Sequence, residues 1–252
     1  MRRPILPFLM LTLLLPAGTA CAETPDSARR ATQVADEVMK ALGGAEQWES
    51  LRGIAWTFES ARGDTLRPGG RRHMWDKHSG WHRVEGRNRQ GQSYVIVHHL
   101  DRPEGKAWVD GTAIEGDSLQ RLLQRGKSLW TNDTYWMLMP FKLRDPGVRL
   151  GYDGEVREGN VTYDKLALSF DKVGETPGDR YWVFVNRGNH RVEKWEFVLQ
   201  GDSPPAKAWT WEGWEQHGGL WFPTTHRSGE NTLYTRAVQT MSEFPTSTFA
   251  AP

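Results

Sequence analysis

Imidazole is both a common metal ligand and a general base, so the eight His residues of this chain set the first chemical question. His73, His78 and His82 surround one hairpin, and His98-His99 ends a strand. Neighbouring strand residues point to opposite faces, so His98 and His99 do not readily share a metal, whereas His73 and His82 could. Solvated or locally hydrogen-bonded imidazoles explain the same pattern without zinc, and no metal is assigned. Asp171 and Asp179 flank a Gly-Glu-Thr-Pro-Gly loop and could present paired carboxylates for acid–base work. Asp also stabilises tight loops, and Pro177-Gly178 is itself a turn dipeptide, so turn chemistry accounts for both residues. The single Cys, Cys21, lies in the N-terminal segment, and there is no Gly-x-Ser-x-Gly elbow, P-loop or dinucleotide fingerprint. The sequence reads as non-catalytic and without a cofactor. An envelope hydrolase using Asp171, Asp179 or a His is the alternative.

The other unusual resource is aromatic: 13 Trp in 252 residues, scattered along the whole chain. Such side chains either fill a core or line a hydrophobic cavity. Period-two patterns position most of them. Ile54, Trp56 and Phe58 alternate with Ala55, Thr57 and Glu59, and strands follow at 71–77, 81–85, 93–99 and 106–109, where Asp110-Gly111 marks a hairpin. Further strands are expected at about 148–157, 160–170, 180–187, 190–200, 206–215, 219–227 and 232–240. A helix from about Ala28 to Leu42 precedes them, with Ala31, Val34, Ala35, Val38 and Leu42 on one face and Gly43-Gly44 at its end. Between the two groups of strands, two short helices are expected over about 115–143. Asp117-Ser118 caps the first, Asn132-Asp133 caps the second, and Gly126 separates them.

Tyr181-Trp182-Val183-Phe184-Val185 and Tyr94-Val95-Ile96-Val97 are apolar on both faces, so either something covers the second face or a ligand meets it. Twist accumulates across a long antiparallel sheet and makes it curl. The expected fold is therefore mainly β with α: one strongly curved antiparallel sheet, a half-open β-barrel, with helices covering its concave face.

The N-terminus carries Arg2 and Arg3 before an apolar run from Ile5 to Leu15, too short to cross a bilayer, and then Pro16, Gly18 and small residues. This is a signal segment, residues 1–22, for export to the periplasm. Cleavage after Ala22 fits Ala20-Cys21-Ala22, while cleavage before Cys21 would leave a lipid-bearing Cys that anchors the protein to a membrane. Taking away residues 1–22 removes Arg2 and Arg3 and leaves 30 basic against 31 acidic side chains, a formal charge of −1. Such a balance offers no footprint for nucleic acid. No second apolar segment approaches membrane-spanning length, and no linker divides residues 23–252, so one domain is expected.

The order signal segment, helix ending in Leu42-Gly43-Gly44, Trp48, then a strand from Ile54 resembles the envelope carriers of the outer-membrane lipoprotein-sorting superfamily. More narrowly, Asn132-Asp133-Thr134-Tyr135-Trp136-Met137-Leu138-Met139-Pro140-Phe141-Lys142-Leu143 and the stretch from Leu168 to Asp179 resemble a group of exported proteins in that broad set with no assigned chemistry. The resemblance implies a half-open barrel with helical lids that holds acyl chains. The lipoprotein carriers use a strand Arg to latch the lid, and the sequence alone aligns no Arg with it.

The expected function is thus a non-catalytic envelope protein that binds a lipid, acyl chain or other hydrophobic ligand, with an envelope protein as a further partner. Trp56, Phe58, Trp75, Tyr94, Ile96, Trp136, Met139, Leu168 and Phe170 are the candidate cavity residues, with Leu119, Leu122 and Leu123 under the lid. A structural or partner-binding module, with Trp as ordinary core, is the second alternative.

Overall fold

The computed structural model describes residues 25–170 and 179–252. The signal segment, Cys21 and Asp171 lie outside the described residues. Helix α1 (Pro25–Ala41) buries Ala31, Val34, Ala35 and Val38, the stripe its 3.6-residue period dictates. Gly43 and Gly44, both at positive φ, end it and lead into the short α2 (Ala45–Ser50).

The chain then builds β1 (Gly53–Arg62), β2 (Thr65–Leu66), β3 (Arg71–Asp76), β4 (Trp81–Arg87), β5 (Ser93–His99), β6 (Gly105–Val109) and β7 (Thr112–Ala113). Asp110 and Gly111, both at positive φ, make the hairpin between β6 and β7. One long helix follows, α3 (Gly116–Leu138), running directly into a 3-10 turn at Met139–Phe141. Next come β8 (Val148–Glu158), β9 (Val161–Phe170), β10 (Arg180–Asn186), β11 (Val192–Val198) and β12 (Lys207–Thr210). The last strands are β13 (Glu215–His217), β14 (Leu220–Phe222), β15 (Thr225–Ser228) and β16 (Asn231–Met241).

These strands do not form one curled sheet. They form a nine-stranded sheet in the order β15-β16-β1-β3-β4-β5-β6-β7 with β2 beside β1, a five-stranded sheet in the order β12-β11-β10-β9-β8, and the β13-β14 hairpin. None closes on itself, and the expected half-open barrel is not what the chain builds. The expectation assumed that strands neighbouring in sequence continue one meander. Instead α3 interrupts hydrogen bonding after β7, β8 starts a new sheet, and β16 returns to pair with β1 along its whole length. The fold is mixed α/β with several sheets, and the two large ones meet where the Arg227 N–H donates to Thr210 Oγ1 at 3.0 Å.

The two apolar-faced strands also have a physical resolution. Phe184 on the outer face of β10 is buried, with Lys194 Nζ 3.8 Å and Lys165 Nζ 5.4 Å from its ring centroid. The two ammonium groups lie over the ring, a cation–π arrangement that covers the outer face without apolar packing. Opposite Val97, Arg83 reaches the C-terminal turn and donates to Thr248 O at 3.0 Å, which shields the outer face of β4 and β5. No helix of the described residues is long and apolar enough to cross a membrane.

Gly126 is not the break between two helices. It sits inside α3 because a Cβ there would lie 2.8 Å from Ile96 Cγ2 and 3.0 Å from His98 Cδ2. The helix approaches the sheet too closely for any side chain. Gly105 on β6 answers it, since a Cβ there would stand 2.4 Å from Leu123 Cδ2. Propensity alone favours Ala at position 126 by about 1 kcal/mol. Gly126→Ala is nonetheless expected to lower the unfolding free energy by about 1–3 kcal/mol through overpacking. Urea unfolding measures this, and a stabilised variant would show that α3 can move outward freely.

Candidate functional site

Cross-strand register decides what α3 meets. Trp56 lies opposite His73, which lies opposite Val84, and Val84 lies opposite Ile96. Two residues further along, Ile54, Trp75, His82 and His98 form the parallel row. Residues two apart on a strand share a face, so Arg71, His73, His82 and His98 all point to the same side. Asp133 enters this face from α3, seven residues and about two turns after Gly126.

The result is a continuous buried polar chain. Asp133 is fully buried and takes a bidentate pair from Arg71, at 2.5 Å from Nε and 2.6 Å from Nη2. Asn132 Nδ2 donates to the same carboxylate at 2.8 Å. His73 Nε2 lies 2.9 Å from Asp133 Oδ2, His73 Nδ1 lies 3.0 Å from His82 Nε2, and His82 Nδ1 lies 2.9 Å from His98 Nε2. A carboxylate accepts only, so His73 carries its proton on Nε2 and its Nδ1 accepts from His82 Nε2–H. His82 Nδ1 then accepts from His98 Nε2–H, and one set of tautomers satisfies the whole chain. Trp56 stacks on His73 with centroids 4.7 Å apart, walling the row off from water.

The charges follow from this burial. Desolvation acts to raise the Asp133 pKa, but hydrogen bonds and attraction from His73 and Arg71 hold it below the usual carboxylate range. Burial pushes His73 down against the pull of Asp133, and pushes His82 further, with both neighbouring imidazoles adding to the effect. His98 falls to about 4, again by burial. All three rings are buried and hydrogen-bonded rather than solvated, and among the described residues no group of three or more His, Cys, Asp or Glu is placed so as to hold a metal ion. Enclosed in this way, Asp133 and the three imidazoles tie helix to sheet, and Arg71 is the member of the group that reaches a cavity wall.

A second feature lies between the C-terminal half of α3 and the five-stranded sheet. Trp136 packs 5.0 Å from Trp195 and 5.1 Å from Trp209, while Tyr135 meets Phe170 and Trp195 at 6.0 and 5.7 Å. Trp211 lies 5.7 Å from Trp195 and 4.6 Å from His226. Within this layer the Tyr135 hydroxyl, Trp195 Nε1 and Trp211 Nε1 are buried with no hydrogen-bond partner. Burial pushes His226 down to about 3 and Tyr135 up beyond the ordinary phenol range.

Of the residues singled out from sequence, Trp56, Phe58, Trp75, Trp136, Met139 and Leu168 fall in one buried core, and Phe170 is half-buried beside Tyr135 and Tyr181. Tyr94 and Ile96 belong to a smaller core under α3, where Leu119, Leu122 and Leu123 pack only partly buried. Asp179 accepts from the Tyr181 hydroxyl and the Gln200 N–H, both at 2.7 Å, and so serves the fold. Sequence reasoning missed Arg71, Asp133 and the polar row. It placed Asn132-Asp133 at a helix cap, although Asp133 continues the stripe of Leu119, Leu122, Leu123, Gly126 and Trp130.

Neither a protein-family model nor a curated protein matches the sequence. Solved structures do match in fold. A LolA superfamily protein from Nitrosomonas europaea superposes with a TM-score of 0.52 at 13% identity, covering 89% of this chain and 97% of that one. The chain has a LolA-type fold. A DUF1329 family protein from Desulfovibrio piger gives a TM-score of 0.50 at 14% identity, over 87% of this chain and 96% of its own. At these identities the likeness concerns the path of the backbone alone.

The neutral imidazoles make stability depend on pH. Their folded pKa values lie below the ordinary 6.5, so the unfolded chain binds protons first as pH falls. Their contribution is complete above pH 6.5 and is lost on the way down, for His98 until about pH 4. Each group adds a slope of up to about 1.4 kcal/mol per pH unit. Asp133 has a linkage of the same sign, displaced to lower pH, and loses its contribution only as pH falls below 3.8. Urea unfolding at pH 7.5, 6 and 5 should therefore show a steep decline, and a flat profile would mean the imidazoles ionise inside the fold.

Proposed function

We propose that this chain is an exported, non-catalytic carrier that takes the apolar part of a lipid or other amphiphile between α3 and the sheets it covers. The observation that carries this reading is the set of unpaired polar atoms in the aromatic layer. Finished cores keep few such groups, and each costs about 1–3 kcal/mol. Three in one layer, on Tyr135, Trp195 and Trp211, fit a cover that lifts to give them water or the polar part of a guest. The surrounding rings supply apolar area, worth about 25 cal/mol per Å2 removed from water. Trp136, Met139, Leu168 and Phe170 would meet the chain on this side. Trp56, Phe58, Trp75, Tyr94 and Ile96 would meet it on the other, beneath Leu119, Leu122 and Leu123.

The Arg71–Asp133 pair supports the same reading, because it joins a strand to the covering helix as a latch would. Residues 1–22 read as an export signal, which would place the carrier in the periplasm, or on a membrane if Cys21 bears lipid. A carrier of this kind needs an envelope protein to supply or receive its cargo. The likeness of fold to LolA-type proteins is compatible with this role.

Titration with fatty acid or phospholipid should shift the intrinsic Trp emission and saturate near one ligand per chain. Tyr135→Phe should stabilise the ligand-free protein by about 1 kcal/mol, since it deletes a buried hydroxyl without a partner. Absence of a saturable response to every amphiphile, together with a destabilised Tyr135→Phe, would leave the structural module as the better account. For the latch, Asp133→Asn should speed amide hydrogen exchange across Gly116–Leu138 more than in β9–β11. Equal acceleration everywhere would instead make the pair a general fold contact.

A further inference from the structure

A small cavity of about 180 Å3 opens where β1, β3, β4, β5 and α3 come together at one end of the nine-stranded sheet. Arg71, Arg87, Arg89 and Arg125 line it, against one carboxylate, Glu59. Glu59 is already engaged, with Arg236 Nη1 at 3.4 Å. Arg71 is held from behind by Asp133, which keeps the guanidinium charged despite its burial. Arg87, Arg89 and Arg125 have no carboxylate partner within 4.0 Å among the described residues.

The cavity is also ordered. Arg71 lies 4.7 Å over the Phe58 ring and Arg125 lies 5.8 Å over Tyr94, so aromatic faces hold both guanidinium groups at the mouth. Asn88 Oδ1 accepts from the Gln90 and Gln92 N–H groups at 3.0 Å each, and Arg87 Nη1 donates to Gly91 O at 2.8 Å. These bonds fix the turn that presents Arg87 and Arg89. A Cβ at Gly86 would stand 2.9 Å from Gly70 O and 3.0 Å from the Tyr94 hydroxyl, so the glycine leaves room for both, and Tyr94 forms part of the cavity wall.

We infer that this cavity is a binding site for a phosphate group. Several like charges converging on a small partly enclosed volume repel one another, and an anion placed among them relieves that repulsion. A carboxylate carries one negative charge over two oxygens. A phosphate monoester presents three terminal oxygens and up to two negative charges, so it can accept from several forks at once. The chemistry is shared by a free phosphate ester and by the headgroup of a phospholipid. The site stands on its own arginines and does not require the carrier reading.

Calorimetry on the full mature chain at low salt tests this with three probes: inorganic phosphate, a lysophosphatidate, and a monoacylglycerol of the same chain length, each below its micelle concentration. Phosphate should bind saturably, and Arg87→Ala combined with Arg125→Ala should weaken it at least tenfold while urea unfolding stays unchanged. Arg102→Ala, outside the cavity, should leave binding intact. Lysophosphatidate binding at least tenfold tighter than both other probes identifies a lipid headgroup, and binding equal to inorganic phosphate identifies a free ester. Phosphate and lysophosphatidate affinities that do not change in the Arg87/Arg125 variant would overturn the site. Monoacylglycerol binding is read separately: its failure counts against the carrier reading, and the effect of the arginine substitutions on phosphate decides the site.

Discussion

Asp133 is the one carboxylate that α3 carries into the interior, and the meeting of helix and sheet is organised around keeping it charged. A buried charge is tolerated only where donors replace its water. Here Arg71 and His73 come from β3 and Asn132 from the helix itself. That demand fixes the rotation of α3, because turning the helix by one residue would swing the carboxylate about 100° away from its partners. It also fixes the His73 tautomer, and through it those of His82 and His98.

Once α3 is held in that rotation, its other contacts follow. Gly126 falls where the helix passes closest to Ile96 and His98, and Trp130 reaches Trp75 at a centroid distance of 5.6 Å in an edge-to-face arrangement. Tyr135 and Trp136 are turned toward the five-stranded sheet. The helix therefore has a polar anchor on one side and an aromatic face on the other. The hydrogen bonds of the polar row are complete, whereas unpaired indole N–H groups remain on both sides, those of Trp56, Trp75 and Trp130 beside the row and those of Trp195 and Trp211 in the aromatic face.

Arg71 links this anchor to the phosphate-type cavity. Its guanidinium faces Asp133 inward and the cavity outward, so an anion bound outside would share a donor with the carboxylate inside. Charge at the rim and the rotation of the covering helix thereby become parts of one electrostatic system, with Phe58 and Tyr94 between them and the apolar layer.

Local physics was legible in the sequence by itself. The stripe of Ala31, Val34, Ala35 and Val38 gave α1, the alternation of Ile54, Trp56 and Phe58 gave β1, and Asp110-Gly111 gave a hairpin, because each depends on periods of a few residues. The opposition of His98 and His99 across a strand was equally readable. Tertiary structure alone decided that β16 returns to β1, that β8 opens a separate sheet, and that Arg71 meets Asp133 across 62 residues. Gly126 shows the reason. Local rules read a helix break there, yet the glycine answers to Ile96 and His98, residues whose approach is set by strand pairing and packing that no short-range pattern records.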